Sequence, residues 1–230
     1  MAYSREKLII SADDFGISQL ANDHILALVE AGKLNRVSVM AHGKFTPEEI
    51  ARLKKTGIKL DIHLDSASEI ATDRKLRAGI FLRGIKFILA YLSDSGNHSA
   101  KSDWQNQIQK FNILFGQNPD GLNSHQHIHF FPAYFKIITQ LAQKNSIVFI
   151  RFGAEKILGS NNLICCILSC LRKINHKNFI VSKLESSDYM VSLDWLGNLP
   201  KFLDTLPEGI TEIVCHPERP EELEIIKKYF

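Results

Sequence analysis

Short apolar runs alternate with segments whose apolar residues recur at helical spacing. Lys7 to Ser11 (KLIIS) is the first run, and Ile17 to Ala31 after it reads as a helix with Ile25, Leu28 and Val29 on one face. Gly32 stops that helix. Arg36 to Met40 (RVSVM) and Ile58 to Leu64 (IKLDIHL) alternate as strands, and Pro47 to Lys55 between them is a short helix opened by Thr46 and Pro47 and closed by Gly57. Residues 66 to 103 are less regular, with one apolar patch (GIFLRGIKFILAYL) and a polar loop around Gly96. Trp104 to Phe115 reads as helix, Gly121 to His125 as strand, and Pro132 to Gln143 as helix. Ser146 to Arg151, Phe179 to Ser182 and Ile210 to Cys215 are further strand candidates, with helical stretches between them.

Strand then helix, repeated, is the pattern of a parallel sheet, open or closed into a barrel. The count is about seven strands, one short of an eightfold barrel. The expected fold class is therefore α/β, a distorted (β/α) barrel of about seven parallel strands. An α/β barrel takes roughly 200 to 250 residues, so a single domain over residues 1–230 is expected.

Composition narrows the class by exclusion. The 28 basic and 25 acidic residues are mixed along the chain, for a net charge of +3, with no polybasic run of the kind that binds nucleic acid or membrane. The N-terminal segment lacks the long apolar region of a signal peptide. Leu163 to Leu171 (LICCILSCL), the most apolar stretch, is far short of the roughly 20 residues that span a bilayer and reads as a buried helix or strand. Cys165, Cys166, Cys170 and Cys215 form no CxxC pair and read as small buried hydrophobes. A reducing, cytoplasmic setting is the expectation.

Candidate chemistry gathers at the C-terminal ends of the strands, where parallel sheets and barrels place active groups. Asp13 and Asp14 follow the first strand, His63 and Asp65 the third, and His125, His127 and His129 the fourth; Arg151 follows the fifth and His216 the last. Each has a plain structural alternative. The Asp pair could cap the next helix, His63 could be a core histidine, and His216 before Pro217 could be a turn residue. The three alternating histidines would share one face of a strand, a pattern with little use in packing. Meeting at one rim, imidazoles and a carboxylate make a metal site with positions open for water and substrate. One Asp of the pair would ligate and the other act as base, while His216 is the candidate acid. No GxSxG elbow, Walker A loop or GxGxxG is present, so serine-hydrolase, P-loop and Rossmann readings lose support.

Four strings carry a family resemblance: LIISADDFGIS at 8 to 18, DIHLD at 61 to 65, SHQHIHFFP at 124 to 132 and TEIVCHPE at 211 to 218. In this order they resemble the YdjC-like carbohydrate deacetylases, the ChbG/HpnK family, which are similar to polysaccharide deacetylases. The resemblance implies a metal-dependent hydrolase that removes the N-acetyl group from an N-acetylglucosamine-containing oligosaccharide or related amino sugar. It implies Asp13 as base, Asp14, His63 and His125 as metal ligands, and His216 as the second catalytic residue. His127 and Arg151 would line the sugar pocket. One divalent ion, Mg2+ or Zn2+, is the implied cofactor, the partner is a small acetylated sugar, and a homodimer is admitted. Hydrolysis of a phosphoester or glycosidic link, or sugar binding without turnover, are the alternatives. Asn123 stands where an Asp is usual, and would remove a carboxylate that orients a histidine. Glu218 stands where relatives carry a small residue. The chain also ends soon after the last strand, so the final unit is expected to be shortened.

Overall fold

The computed structural model describes residues 5–65, 94–159 and 163–230. Among them, eight strands form one parallel sheet: β1 (Leu8–Phe15), β2 (Arg36–Val39), β3 (Lys59–Leu64), β4 (Gly121–Ser124), β5 (Phe149–Ile150), β6 (Lys156–Ile157), β7 (Tyr189–Ser192) and β8 (Thr211–Cys215). Their spatial order is β5-β4-β3-β2-β1-β8-β7-β6. The sheet curls into a half-barrel whose edge strands β5 and β6 do not pair with each other. The helices are α1 (Gln19–Glu30), α2 (Pro47–Lys55), α3 (Asp94–Phe115), α4 (Pro132–Lys144), α5 (Leu163–Ser182), α6 (Leu199–Asp204) and α7 (Pro220–Tyr229). No helix among the described residues is long and apolar enough to cross a membrane.

The α/β half-barrel is as expected, and the strand count rises from about seven to eight. Phe179 to Ser182, expected as a strand, is the last turn of α5. Cys165, Leu168, Asn175, Phe179 and Ser182 are buried while Ile180 and Val181 are exposed, which is helical and not alternating spacing. β6 and β7 take its place, short strands that were not anticipated. The apolar run at Leu163 is the start of the same helix and is not buried throughout: Leu163, Ile164 and Ile167 are exposed, as are Cys166 and Cys170. Only Cys165 and Cys215 are buried as small hydrophobes. α3 starts ten residues before Trp104, so the expected loop around Gly96 is helix. The patch GIFLRGIKFILAYL lies outside the described residues. After β8 comes α7, a ten-residue helix.

Local chemistry sets the loops that carry the site. Ser18, not either aspartate, caps α1, its Oγ accepting from the Ala21 N–H at 3.1 Å. Asn22 is fully buried beneath the preceding loop, accepting from the Gly16 N–H at 2.7 Å and donating to the Lys44 carbonyl at 2.8 Å. Gly16 and Gly43 touch there, since a Cβ on Gly43 would lie 2.6 Å from the Gly16 Cα. Asp13 and Asp14 are thereby freed from capping and aimed over the barrel mouth.

A candidate metal centre at the strand ends

Polar side chains fill the inside of the half-barrel in tiers. Lowest is Arg36 on Asp61, with the guanidinium 4.0 Å above the Phe149 ring. Above it, Arg151 has no exposed surface; its Nε donates to Glu212 Oε1 at 2.8 Å, and Nη1 and Nη2 donate to the two Asp13 oxygens at 2.6 and 2.9 Å. Ser38 Oγ accepts from Arg151 Nη2 at 3.3 Å and from Asn123 Nδ2 at 2.8 Å. The Asn123 oxygen faces His63 Nδ1. That contact orients the ring: Nδ1–H donates to Asn123, which turns Nε2 toward Asp14 and the mouth. The orienting carboxylate expected to be lost with Asn123 is thus replaced by an amide oxygen held in the same role.

The uppermost tier is the cluster. Asp14 Oδ1 lies 3.2 Å from His63 Nε2 and 3.1 Å from His125 Nδ1, and the three ligand atoms fall within 4.8 Å of one another. Asp14 reaches this place through a left-handed backbone, φ 70°, where the pairing of β1 with β2 shifts register. Such a conformation in a non-glycine residue is uncommon and concentrates at functional sites. A second distortion follows β4. Gln126 and His127 have φ of 51° and 56°, turning His125–Phe130 into a kinked 3-10 segment instead of an extended strand.

Charge supports the same reading. Arg36 pairs with Asp61 and Arg151 with Asp13 and Glu212, while Asp14, also buried, has no guanidinium partner among the described residues. A divalent cation at Asp14, His63 and His125 would add positive charge beside these carboxylates. The donor set of two imidazoles and one carboxylate suits such an ion and leaves coordination positions open. Burial alone would raise the pKa of Asp14, but contacts from His125 and His63 hold its carboxyl well below the ordinary range. Burial pushes Asp13 up too, and is outweighed by Arg151, with His63 and His216 adding to it, so that Asp13 stays ionised. His216 closes the opposite side: its N–H donates to Glu222 Oε2 at 2.7 Å and its ring lies 3.6 Å from the same oxygen. Burial would lower the His216 pKa, yet Glu222, Asp13 and Asp14 together raise it.

The structure brings Asp13, Asp14, His63, His125 and His216 to one mouth. It separates the others. Arg151, expected to line the sugar pocket, is sealed inside the barrel, because two carboxylates absorb its guanidinium. The three alternating histidines do not share a face, because the chain kinks between them. His129 turns inward, donating from Nε2 to the Arg151 carbonyl at 2.9 Å and accepting at Nδ1 from Ser124 Oγ at 2.7 Å. Burial holds it neutral, its pKa lowered to about 3. His127 lies between, half-buried, its ring 5.9 Å from that of Trp195. Sequence reasoning missed Glu212, Asn123 as an orienting group, and Glu222. An acid six residues beyond His216 was the only local signal for Glu222, and Glu212 alternates inward on β8.

The fold and cluster define a polysaccharide-deacetylase-like half-barrel. A peptidoglycan N-acetylglucosamine deacetylase, Bc1960, shares the fold at a TM-score of 0.51, with 12% identity over 99% of this chain and 81% of that one. An Enterococcus faecalis V583 protein, provisionally described as a cellobiose-phosphate cleavage protein, shares it at 0.65, with 17% identity over 96% and 90% of the two chains. The chain belongs to the YdjC-like protein family, whose sequence profile matches residues 7–228. Among curated relatives, a mouse protein named carbohydrate deacetylase is 24% identical over 96% of this chain and 80% of its own length. A Citrobacter koseri chitooligosaccharide deacetylase is 26% identical over 68% of this chain and 63% of its own. The chain therefore spans less than two thirds of the Citrobacter protein.

Proposed function

We propose that this protein is a metal-dependent carbohydrate N-deacetylase that hydrolyses the amide joining an acetyl group to an amino sugar, in an N-acetylglucosamine-containing oligosaccharide or related substrate. The meeting of Asp14, His63 and His125 beside an arginine-clamped Asp13 carries this reading. Asp14, His63 and His125 would hold the ion, Zn2+ by the preference of imidazole ligands or Mg2+ by family resemblance. Bound there, an ion would lower the pKa of water and polarise the acetyl carbonyl. Asp13 accepts the proton of the attacking water; the Arg151 fork fixes its direction while each carboxylate oxygen keeps a second lone pair. His216, whose pKa Glu222 and the two aspartates raise against the effect of burial, donates to the leaving nitrogen. His127, half-buried at the kink after His125, would line the sugar pocket. The names of the curated relatives support an acetylated sugar as the substrate class.

The test is acetate release from N,N′-diacetylchitobiose by protein loaded with stoichiometric metal. Release that disappears in Asp13→Asn supports the reading. Intact metal binding with no release would overturn it, and metal analysis of protein purified without added ions identifies the ion.

A further inference from the structure

The register of β1 against β8 runs as far as Ala12 and Cys215. Asp13 and Asp14 on one chain and His216 on the other follow directly after these paired residues. Two side-chain contacts then tie the chains together again. Ser18 Oγ, which accepts from the Ala21 N–H as the cap of α1, donates its own hydrogen to Glu218 Oε1 at 2.8 Å. Further along α1, His24 Nδ1 lies 2.7 Å from the Pro217 carbonyl. A carbonyl only accepts, so Nδ1 carries the hydrogen and donates it. The partners stand 200 and 193 positions apart in the chain. Between them His216 to Arg219 make a tight turn, in which the Arg219 N–H donates to the His216 carbonyl at 2.9 Å.

Resting on the deacetylase reading above, we infer that Glu218 and His24 are positioning residues: by fastening the His216–Glu218 turn to α1, they set the place of His216 against Asp13 and Asp14. Glu222 holds the His216 N–H from α7, within the same β8–α7 unit, and travels with it. Arg219 Nη1, on Asp194 Oδ2 at 3.2 Å, ties the turn toward the β7 side. Ser18 and His24 instead belong to the β1–α1 unit, which carries the two aspartates. A proton passes only within hydrogen-bond reach or through one water, so a displacement of the turn by about an ångström weakens the acid. It leaves Asp14, His63 and His125 where they are.

Glu218→Ala and His24→Ala test this on metal-loaded protein with two substrates, N,N′-diacetylchitobiose and para-nitrophenyl acetate. An amide nitrogen must be protonated to leave, whereas para-nitrophenolate leaves without a proton. Each variant lowers kcat on the amide by about tenfold or more while KM stays close to wild type. Turnover of the aryl ester and metal content do not change. Glu218→Gln, whose amide oxygen accepts the same Ser18 hydrogen, recovers most of the rate. Should Glu218→Ala fail to fold, His24→Ala decides. Unchanged kcat on the amide, equal losses on both substrates, loss of metal, or a Glu218→Gln as slow as Glu218→Ala overturns the inference. The ring nitrogen signals of His216 in nuclear magnetic resonance separate it from the reading on which it rests. They move in Glu218→Ala and return in Glu218→Gln. A wild type that releases no acetate, with the signals moving in this way, defeats the deacetylase reading and leaves the tie to α1 standing. Signals that do not move defeat the tie, whether or not acetate is released.

Discussion

Two arginines are buried in one half-barrel, and they do different things. Arg36, on the lower tier, meets a single carboxylate, Asp61, and rests on Phe149. Gly121 makes room for the pair, since a Cβ there would lie 2.6 Å from Asp61 Oδ1. The pair makes no hydrogen bond to the groups at the mouth, although Arg36 feels Glu212 and Asp61 feels Arg151 electrostatically. Arg151, one tier up, meets two carboxylates and hands one of them, Asp13, to the cluster, where Asp13 Oδ2 lies 3.9 Å from His63 Nδ1. Chemistry of the pair is the same; what differs is whether the anion has a second task. A buried ion pair is weak evidence for stability by itself. One that aims a carboxylate at a candidate metal site is an argument for function.

Arg151→Met tests the difference most severely. It leaves Asp13 and Glu212 buried without a cation, at a cost of about 3–5 kcal/mol in urea unfolding, and abolishes acetate release. Arg151→Lys does not rescue turnover, because an ammonium cannot present the fork that holds both Asp13 oxygens and reaches Glu212. Wild-type turnover in Arg151→Lys would break the claim that the fork positions the base.

The upper tier also depends on His129, whose Nε2–H holds the Arg151 carbonyl. Its folded pKa is about 3, below the ordinary histidine value, so the folded state keeps it neutral while the unfolded chain takes up a proton first. Its contribution is therefore complete above about pH 6.5 and is lost as the pH falls toward 3, at about 1.4 kcal/mol per unit. Near pH 4 this amounts to about 3 kcal/mol. Unfolding measured from pH 7 to 4 shows this limb in the wild type and a shallower one in His129→Gln.

Much of this contrast was legible in the sequence and part was not. Asp13, Asp14, His63, His125 and His216 each stand at a strand end, which local pattern reveals. The role of Arg151 depends on a partner 138 positions away, so pattern showed a polar group at a strand end without showing that Asp13 would consume it. HQHIH alternates as a strand does, and the left-handed pair Gln126 and His127 that breaks the alternation has no glycine to announce it. Phe179 to Ser182 is rich in residues that favour strands, yet α5 runs through it because Phe179 and Ser182 continue the buried stripe from Leu168 and Asn175. β6 and β7 are short, and β6 exposes Lys156, so neither carries a strong apolar signal.

Metal removal separates the tiers next. At a hundredfold excess over its dissociation constant, an ion that binds only the folded chain adds about 2.7 kcal/mol. Chelation should destabilise the wild type by that increment, read as a drop in melting temperature, and leave Asp14→Asn unmoved. A variant of the lower pair, far from the mouth, should show the full chelation shift. Equal shifts in Asp14→Asn and wild type would remove Asp14 from the ligand set.

The smallest effect is the most discriminating. If Arg36 and Asp61 only fill space and satisfy each other, Arg36→Met with Asp61→Leu replaces a self-contained pair by apolar groups of similar volume. Such exchanges are near neutral or stabilising, because two desolvation costs disappear along with the attraction. The double variant should stay within about 1 kcal/mol of wild type, with kcat and metal content unchanged, while Arg36→Met alone loses about 3–5 kcal/mol by stranding Asp61. The matching exchange above, Arg151→Met with Asp13→Leu, still leaves Glu212 alone and removes the base, so it recovers neither stability nor turnover. If instead the lower double variant lost activity at unchanged stability, charge on Asp61 or Arg36 would be felt at the mouth. The two tiers would then be one electrostatic unit, and the distinction between a packing pair and a positioning pair would fall.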